Sequence, residues 1–240
     1  MSDGRALIDE MIEAHGGAAR WRGVTAVEAE LSVDGFLFAV KHRPPFVRAK
    51  MRAEASAPRF SIRDYPRVGM RGEFEGDAEV RIVDASGALI ERRERPREAF
   101  KKLRRELLWD DLDLLYFASY ATWGYLTAPF TLARPGFRFE ALSKTREGLR
   151  RVAVEYPDDV PTHSKRQVMH VGDDGLLKRI DYTAAVVGGW ANAAHLCEAY
   201  ETFDGVRVPT RRRVLPLFHR ESPLSFPTLV AIDLHAFALR

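Results

Sequence analysis

Hydrophobic and polar residues alternate along most of the chain, most clearly between residues 177 and 215. Successive side chains of a β-strand point to opposite faces, so three segments predict antiparallel strands: LKRIDYTAAVV, NAAHLCEAYETF and VRVPTRRRVLP. The last two are joined by Asp204-Gly205, a pair that accepts the backbone of a two-residue hairpin turn. The rest of the predicted fold is organised around this three-stranded meander.

The Asp204-Gly205 turn sets the pairing of the second and third strands. It places Phe203 opposite Val206, and counting back places Cys197 opposite Arg212 and His195 opposite Val214. The residues predicted on the buried face are Ala193, His195, Cys197, Ala199, Phe203, Val206, Val208 and Val214. Those predicted on the solvated face are Glu198, Tyr200, Thr202, Arg207, Arg211 and Arg213.

A four-residue loop at 188–191 would place Tyr182 opposite Cys197 and diagonal to His195. Tyr182, His195 and Arg212 then share the buried face, among small residues that leave space. A concave sheet face with a few polar groups favours a ligand cavity, with these three residues as ligand contacts. The alternative is that His195 and Tyr182 are core residues with satisfied hydrogen bonds and the alanines pack against a helix.

The remaining patterns predict a mainly β protein. An amphipathic helix is expected at 5–15, and Asp34-Gly35 predicts a second hairpin leading from strand 24–34 into 36–42. Further strands are predicted at 46–54, 59–65, 67–74, 78–84, 136–143, 149–156, 164–171 and 228–239. About ten strands in hairpin order, without βαβ alternation, predict an α+β fold that is mainly antiparallel β. Residues 1–240 are interpreted as one domain.

A helical insertion is predicted at about 96–130. Residues 97–120 have helical spacing, and Asp110-Asp111 is expected to begin its second helix. The aromatic residues of this stretch suggest a lid over the concave face, with Trp109, Tyr120 and Trp123 covering a ligand's apolar part. Ordinary packing of a helix on the sheet explains the same aromatics, because such side chains also dominate cores.

Three stretches carry a family resemblance: AHGGAARWRGV before the first strand, the mid-chain helical insertion, and DGVRVPTRRRV. Together they resemble the LolA/LolB/LppX-like half-barrel superfamily. The resemblance implies a curved antiparallel sheet that wraps around helices and encloses an apolar cavity for lipids, acyl chains or other hydrophobic molecules. No signal peptide or lipobox cysteine is apparent, so the resemblance implies a soluble member of the superfamily, similar to VioE in that respect. VioE acts on a small aromatic intermediate, which implies that the scaffold can also host chemistry.

Composition narrows the function classes. Lys and Arg (37) nearly balance Asp and Glu (34), which argues against nucleic acid as a partner. Basic runs at 92–105 and 211–213 leave peripheral contact with an anionic membrane open. Cys197 is the only cysteine, and no secretory signal or membrane-spanning run is apparent, so a cytoplasmic location is expected.

No catalytic or nucleotide-binding motif is present, and the seven histidines are scattered, so we expect no metal and no cofactor. The leading hypothesis is binding of a hydrophobic or aromatic small molecule, lipid-like or a secondary metabolite. The alternative is a cofactor-independent enzyme with His195 as general acid or base and Tyr182 as its hydrogen-bond partner. A third hypothesis is an interaction module that works through its basic surface.

Overall fold

A computed structural model of the protein describes residues 3–101, 108–219 and 222–240. Within these ranges, fourteen strands form one antiparallel sheet. The first six are β1 (Ala26–Asp34), β2 (Phe46–Glu54), β3 (Arg59–Arg63), β4 (Arg71–Glu75), β5 (Glu79–Val83) and β6 (Leu89–Glu94). The next six are β7 (Arg138–Leu142), β8 (Arg150–Glu155), β9 (Arg166–Val171), β10 (Leu177–Thr183), β11 (Asn192–Phe203) and β12 (Val206–His219). The last two are β13 (Ser222–Pro223) and β14 (Val230–Leu239).

The strand order is β6-β5-β4-β3-β2-β1-β14-β12-β11-β10-β9-β8-β7, and β13 pairs with β12. The chain therefore builds two meanders, and its last strand joins them by pairing with β1 on one side and β12 on the other. This confirms the predicted α+β half-barrel of mainly antiparallel strands. The described helices are α1 (Asp3–Ala14), α2 (Ala18–Trp21), α3 (Phe36–Val40) and α4 (Asp111–Thr127), with short 3-10 helices at Pro96–Lys101 and Phe130–Ala133.

Helix α4 lies inside the curve of the sheet. Its start is fixed by a capping box, in which the Asp110 side chain accepts from the Asp113 backbone and the Asp113 side chain accepts from the Asp110 backbone. The helix is apolar on all sides, as expected for a helix surrounded by protein. Leu115 is fully buried, and a Cβ atom at Gly72 of β4 would lie 2.6 Å from its Cδ1 atom. The predicted helix start at Asp110-Asp111 is confirmed, while residues 102–107 of the predicted insertion lie outside the described residues.

Helix α1 packs against the other half of the sheet. Ile8 and Met11 are fully buried, and Glu10 forms two hydrogen bonds with Arg150 of β8, at 2.6 and 2.7 Å. The Arg207 backbone N–H donates to the carbonyl of His15 just after the helix, which ties this end to β12. In the described part of the chain, no helix is long and apolar enough to cross a lipid bilayer.

The predicted pairing of β11 with β12 is confirmed: Phe203 pairs with Val206, Cys197 with Arg212, and His195 with Val214. The predicted pairing of β10 with β11 is wrong, because Tyr182 lies opposite Ala193 and not opposite Cys197. The connecting loop spans 184–191, which is longer than the four residues expected. Since the resulting shift is an even number of residues, Tyr182 keeps its predicted face and remains diagonal to His195.

Two further expectations are corrected. Ala199 has a left-handed backbone (φ 53) and is exposed, so the alternation of β11 changes there and Tyr200 turns inward. The Tyr200 hydroxyl donates to the carbonyl of Leu177, and its ring meets that of His15 edge-on. The hairpin predicted at Asp34-Gly35 is also wrong, because FLFAV forms the short helix α3.

Candidate functional site

An apolar pocket of about 590 Å³ opens at one end of the central strands of the half-barrel, between α3, the 184–191 loop and strands β11, β12 and β14. Its apolar wall consists of Phe36, Leu37, Val40, Phe117, Ala184, Val187, Trp190, Ala191, Ala193, Val214, Pro216, Leu217, Phe218, Leu229 and Val230. Its polar side chains are Lys41, His163, Tyr182 and Asn192. We call this cavity the apolar pocket.

Helix α3 forms one wall of the apolar pocket because the chain turns sharply at Gly35. This glycine has φ 132, and a Cβ atom there would lie 2.6 Å from the carbonyl oxygen of Leu229. The backbone N–H groups of Phe36 and Leu37 donate to the carbonyls of Thr228 and Leu229, both at 3.0 Å. These bonds satisfy donors at the start of the helix and hold it against the segment that precedes β14.

The opposite wall is the 184–191 loop. Ala184 N–H donates to the carbonyl of Ala191 at 2.8 Å, which closes the loop on itself. Ala185 N–H donates to the carbonyl of His163 at 3.2 Å, which fixes this histidine beside the loop. At the mouth, Trp190 and Phe218 are each 77% exposed and Phe36 is 52% exposed. The mouth of the apolar pocket is therefore rimmed by large apolar side chains.

A chain of hydrogen bonds runs from the pocket wall into the core. Tyr182 and His163 stack with ring centroids 4.1 Å apart. The Tyr125 hydroxyl lies 3.2 Å from that of Tyr182 and 2.7 Å from His163 Nε2, and the Tyr120 hydroxyl lies 3.0 Å from His163 Nδ1. We call these four residues the tyrosine–histidine chain.

The tyrosine–histidine chain is uncharged at neutral pH. Burial lowers the pKa of His163 to about 3, and the positive charge of Arg97 contributes. Burial also raises the pKa of Tyr120, Tyr125 and Tyr182 above the ordinary tyrosine value. The chain therefore offers hydrogen bonds to a ligand and no net charge.

Arg212 and His195 lie behind Tyr125 and are not part of the pocket lining. The guanidinium of Arg212 donates from Nη2 to the Tyr125 carbonyl (3.1 Å) and from Nη1 to Cys197 Sγ (3.2 Å). His195 is fully buried, with Nε2 at 3.4 Å from Arg212 Nη1 and its ring edge-on to Tyr125 at 4.4 Å. Burial and then the charge of Arg212 lower the pKa of His195 well below its ordinary value, so its ring is neutral.

The structure does not bring Trp109, Tyr120 or Trp123 to the apolar pocket. All three are at most 4% exposed. Tyr120 and Trp123 belong to α4, which lies inside the sheet and is not a lid over it, and Trp109 packs on Phe117 of the same helix. Trp123 donates its indole N–H to the carbonyl of Glu54, and the Tyr120 hydroxyl is the inner end of the tyrosine–histidine chain. The alternative of core packing describes their positions better than contact with a ligand does.

Sequence reasoning missed His163, Tyr125 and the helix α3. His163 lies in the connection between β8 and β9, where no alternation assigns a side chain to a face. Tyr125 belongs to the aromatic-rich stretch, and its position two turns after Phe117 on α4 was the available signal. Within the described ranges, no group of three or more His, Cys, Asp or Glu residues could hold a metal ion.

A groove of about 730 Å³ lies elsewhere, on the outer face of β1 to β4, and it has a different character. Its charged side chains pair with one another, as Arg52 and Arg240 both do with Glu28 at 2.9 Å. Two arginines of the basic run 211–213 also form salt bridges: Arg211 with Glu198, and Arg213 with Asp233. Exposed pairs of this kind fit a solvated surface, so the apolar pocket is the stronger candidate site.

Two solved structures resemble the whole chain. A LolA superfamily protein from Nitrosomonas europaea is 10% identical, with a TM-score of 0.54 over 100% of this chain and 94% of the other. A DUF1329 family protein from Desulfovibrio piger ATCC 29098 is 14% identical, with a TM-score of 0.51 and the same coverage. No protein-family model and no curated protein matches the sequence. On this structural likeness, the chain has a LolA-like half-barrel fold.

Proposed function

We propose that the protein binds a hydrophobic or aromatic small molecule in the apolar pocket. The observation that carries the proposal is the mouth, where Phe36, Trp190 and Phe218 stay exposed around an apolar cavity. Clustered exposed apolar side chains are unusual on a soluble protein and mark binding surfaces. A volume of about 590 Å³ also falls within the range of cavities that hold one small ligand.

The fold supports the same function, since hydrophobic ligands are known for LolA-like proteins. In this chain, α4 occupies the interior of the half-barrel, so the available space lies at one end of the central strands. Among the predicted contacts, Tyr182 is the one that lines the apolar pocket. We assign Arg212 and His195 an indirect role: they position Tyr125, which in turn holds Tyr182. Phe36, Trp190 and Phe218 take the covering role proposed for Trp109, Tyr120 and Trp123.

The enzymatic alternative remains a prediction. A general base must reach the proton it removes, whereas His195 is fully buried and neutral behind Tyr125. An enzyme would lose turnover in His195→Ala while keeping its affinity, and a binding protein would lose affinity modestly or not at all. Cytoplasmic location and contact with an anionic membrane also remain predictions.

Titration with N-phenyl-1-naphthylamine, an uncharged apolar fluorophore, tests the proposed function. Trp190→Ser and Phe218→Ser each remove an aromatic contact at the mouth, so we expect the Kd to rise about 5- to 10-fold. Both side chains are mostly exposed, so the free energy of unfolding should hardly change.

Val68→Ser is the matched control, because Val68 is 90% exposed but does not line the apolar pocket. It should bind the fluorophore as the unsubstituted protein does. Equal Kd values for all four proteins, or no saturable binding at all, would contradict the proposal. Native mass spectrometry of protein purified from its own cells would then identify the class of any molecule that copurifies.

A further inference from the structure

Two members of the tyrosine–histidine chain, His163 and Tyr182, line the apolar pocket, and the last hydroxyl of the chain is that of Tyr182. Among the described residues, Tyr125 is the only hydrogen-bond partner of this hydroxyl. A tyrosine hydroxyl can donate one hydrogen bond and accept two. The Tyr182 hydroxyl therefore keeps hydrogen-bonding capacity beyond its bond to Tyr125.

The direction of the hydrogen bonds follows from counting protons. A neutral imidazole has one N–H, so one ring nitrogen of His163 donates and the other accepts. If Nε2 donates, the order runs outward: Tyr120 donates to Nδ1, Nε2 to Tyr125, and Tyr125 to Tyr182. If Nδ1 donates, every bond is reversed and the order runs inward from Tyr182 to Tyr120.

The two directions differ at their ends. In the inward direction the Tyr120 hydroxyl accepts from Nδ1, so its own proton needs another acceptor. Tyr120 is 1% exposed, and within the described residues its hydroxyl contacts only His163. A buried donor without an acceptor is unfavourable. In the outward direction every buried proton of the chain has an acceptor, and the proton left over belongs to Tyr182, at the pocket wall.

We propose that Tyr182 donates a hydrogen bond to its ligand, and that the ligand is an apolar or aromatic molecule ending in an uncharged acceptor such as a carbonyl. The inference rests on the proposed function of the apolar pocket and adds the chemical class of the ligand. Tyr182 is then the residue that sets polar specificity, and Tyr125, His163 and Tyr120 position its proton.

An uncharged end suits this part of the wall because Tyr182 and His163 are neutral there. The cationic side chain of the lining, Lys41, lies over the ring of Trp109, with its Nζ 5.3 Å from the centroid. Phe117 packs between the two regions, with its ring 4.9 Å from Trp109 and 5.8 Å from His163. The ammonium group of Lys41 is therefore engaged with Trp109, on the far side of Phe117 from His163.

The test compares two probes of one shape, 2-acetonaphthone and 2-isopropylnaphthalene, which differ in the carbonyl. Tyr182→Phe should weaken binding of the ketone about 3- to 10-fold and change the hydrocarbon Kd less than about 2-fold, because one hydrogen bond is lost with the ketone alone. Tyr200→Phe is the matched control. It removes a hydroxyl that donates to the Leu177 carbonyl away from the apolar pocket, and it should leave both Kd values unchanged.

The outcomes separate this inference from the proposed function. If the hydrocarbon binds but Tyr182→Phe affects both probes equally, the carbonyl contact is wrong and the apolar pocket stands. If neither probe binds, the proposed function fails as well. Tighter binding of 2-naphthoate, which is anionic, than of the ketone would contradict the inference that the ligand ends in an uncharged acceptor.

A second measurement does not depend on the variant folding. The carbonyl stretching frequency of bound ¹³C-labelled 2-acetonaphthone should lie below its value in an alkane, since a donated hydrogen bond weakens the C=O bond. An alkane-like frequency in the complex would overturn the proposal.

Discussion

Mild acid should destabilise this protein through three buried histidines: His15, His163 and His195. Burial lowers the pKa of His15 to about 4 and that of His163 to about 3, and the pKa of His195 also falls well below its ordinary value. In the unfolded chain each histidine takes up a proton near pH 6.5. In the folded protein the three histidines stay unprotonated at this pH. The stability that they contribute is therefore fully present above about pH 6.5 and is lost as the pH falls below it.

The size of the effect follows from proton linkage. Each proton taken up only by the unfolded state lowers the free energy of unfolding by about 1.4 kcal/mol per pH unit. Between about pH 6.5 and 5, one fully shifted histidine accounts for about 1.6 kcal/mol. Three such histidines account for about 5 kcal/mol, which is a large part of the stability of an ordinary domain.

Urea unfolding at half-unit steps from about pH 7 to 5 measures this slope in a range above the usual titration of carboxylates. His15→Gln provides the internal control, because an amide can still donate to the Met11 carbonyl that His15 Nδ1 contacts at 2.7 Å. The variant should lose about 1.6 kcal/mol less over the same range. A free energy of unfolding that is constant from about pH 6.5 to 5 would refute the reasoning, as would an unchanged slope in His15→Gln.

Two further predictions concern α4. Leu115→Ala should cost about 2–5 kcal/mol in urea unfolding, because Leu115 is fully buried against β4; a cost near zero would mean that α4 does not fill the half-barrel. Asp113→Ala should lower the free energy of unfolding by about 3–5 kcal/mol, because it removes the buried partner of Arg93 (2.6 Å) and opens the capping box. Asp111→Ala should lower it by less than about 1 kcal/mol, because the Asp111 carboxylate is half-exposed. Equal losses in the two aspartate variants would contradict this assignment.

The sequence was most informative where local chemistry determines geometry. Asp204-Gly205 fixes a two-residue turn, and the pairing of Cys197 with Arg212 follows by counting. Asp110 begins α4 as predicted, because capping depends on neighbouring residues alone. The 184–191 loop shows the limit of such counting. Its two glycines resemble a tight turn, but the pairing of β10 with β11 ends at Thr183 and Asn192, which leaves a loop of eight residues.

The apolar pocket could not be predicted because its parts meet only through long-range contacts. Five apolar residues at 36–40 carry no alternation, and they become a helix because Gly35 lies against the Leu229 carbonyl, far along the chain. His163 acquires its role from hydroxyls on α4 and from stacking on Tyr182 of β10. Neither arrangement leaves a periodic signal in the sequence.

Under the proposed function, the position of α4 also limits the size of the ligand. A half-barrel with an empty interior could enclose long acyl chains, but here Leu115, Tyr116 and Trp123 occupy that interior and are fully buried. The apolar pocket of about 590 Å³ lies at one end of the central strands, where α3 and the 184–191 loop bound it. Since the core around α4 is closely packed, enlarging the pocket inward would require displacing buried aromatic side chains at a cost of several kcal/mol. Under the proposed function, we therefore expect one compact aromatic molecule that enters between Phe36 and Trp190, and not an extended lipid.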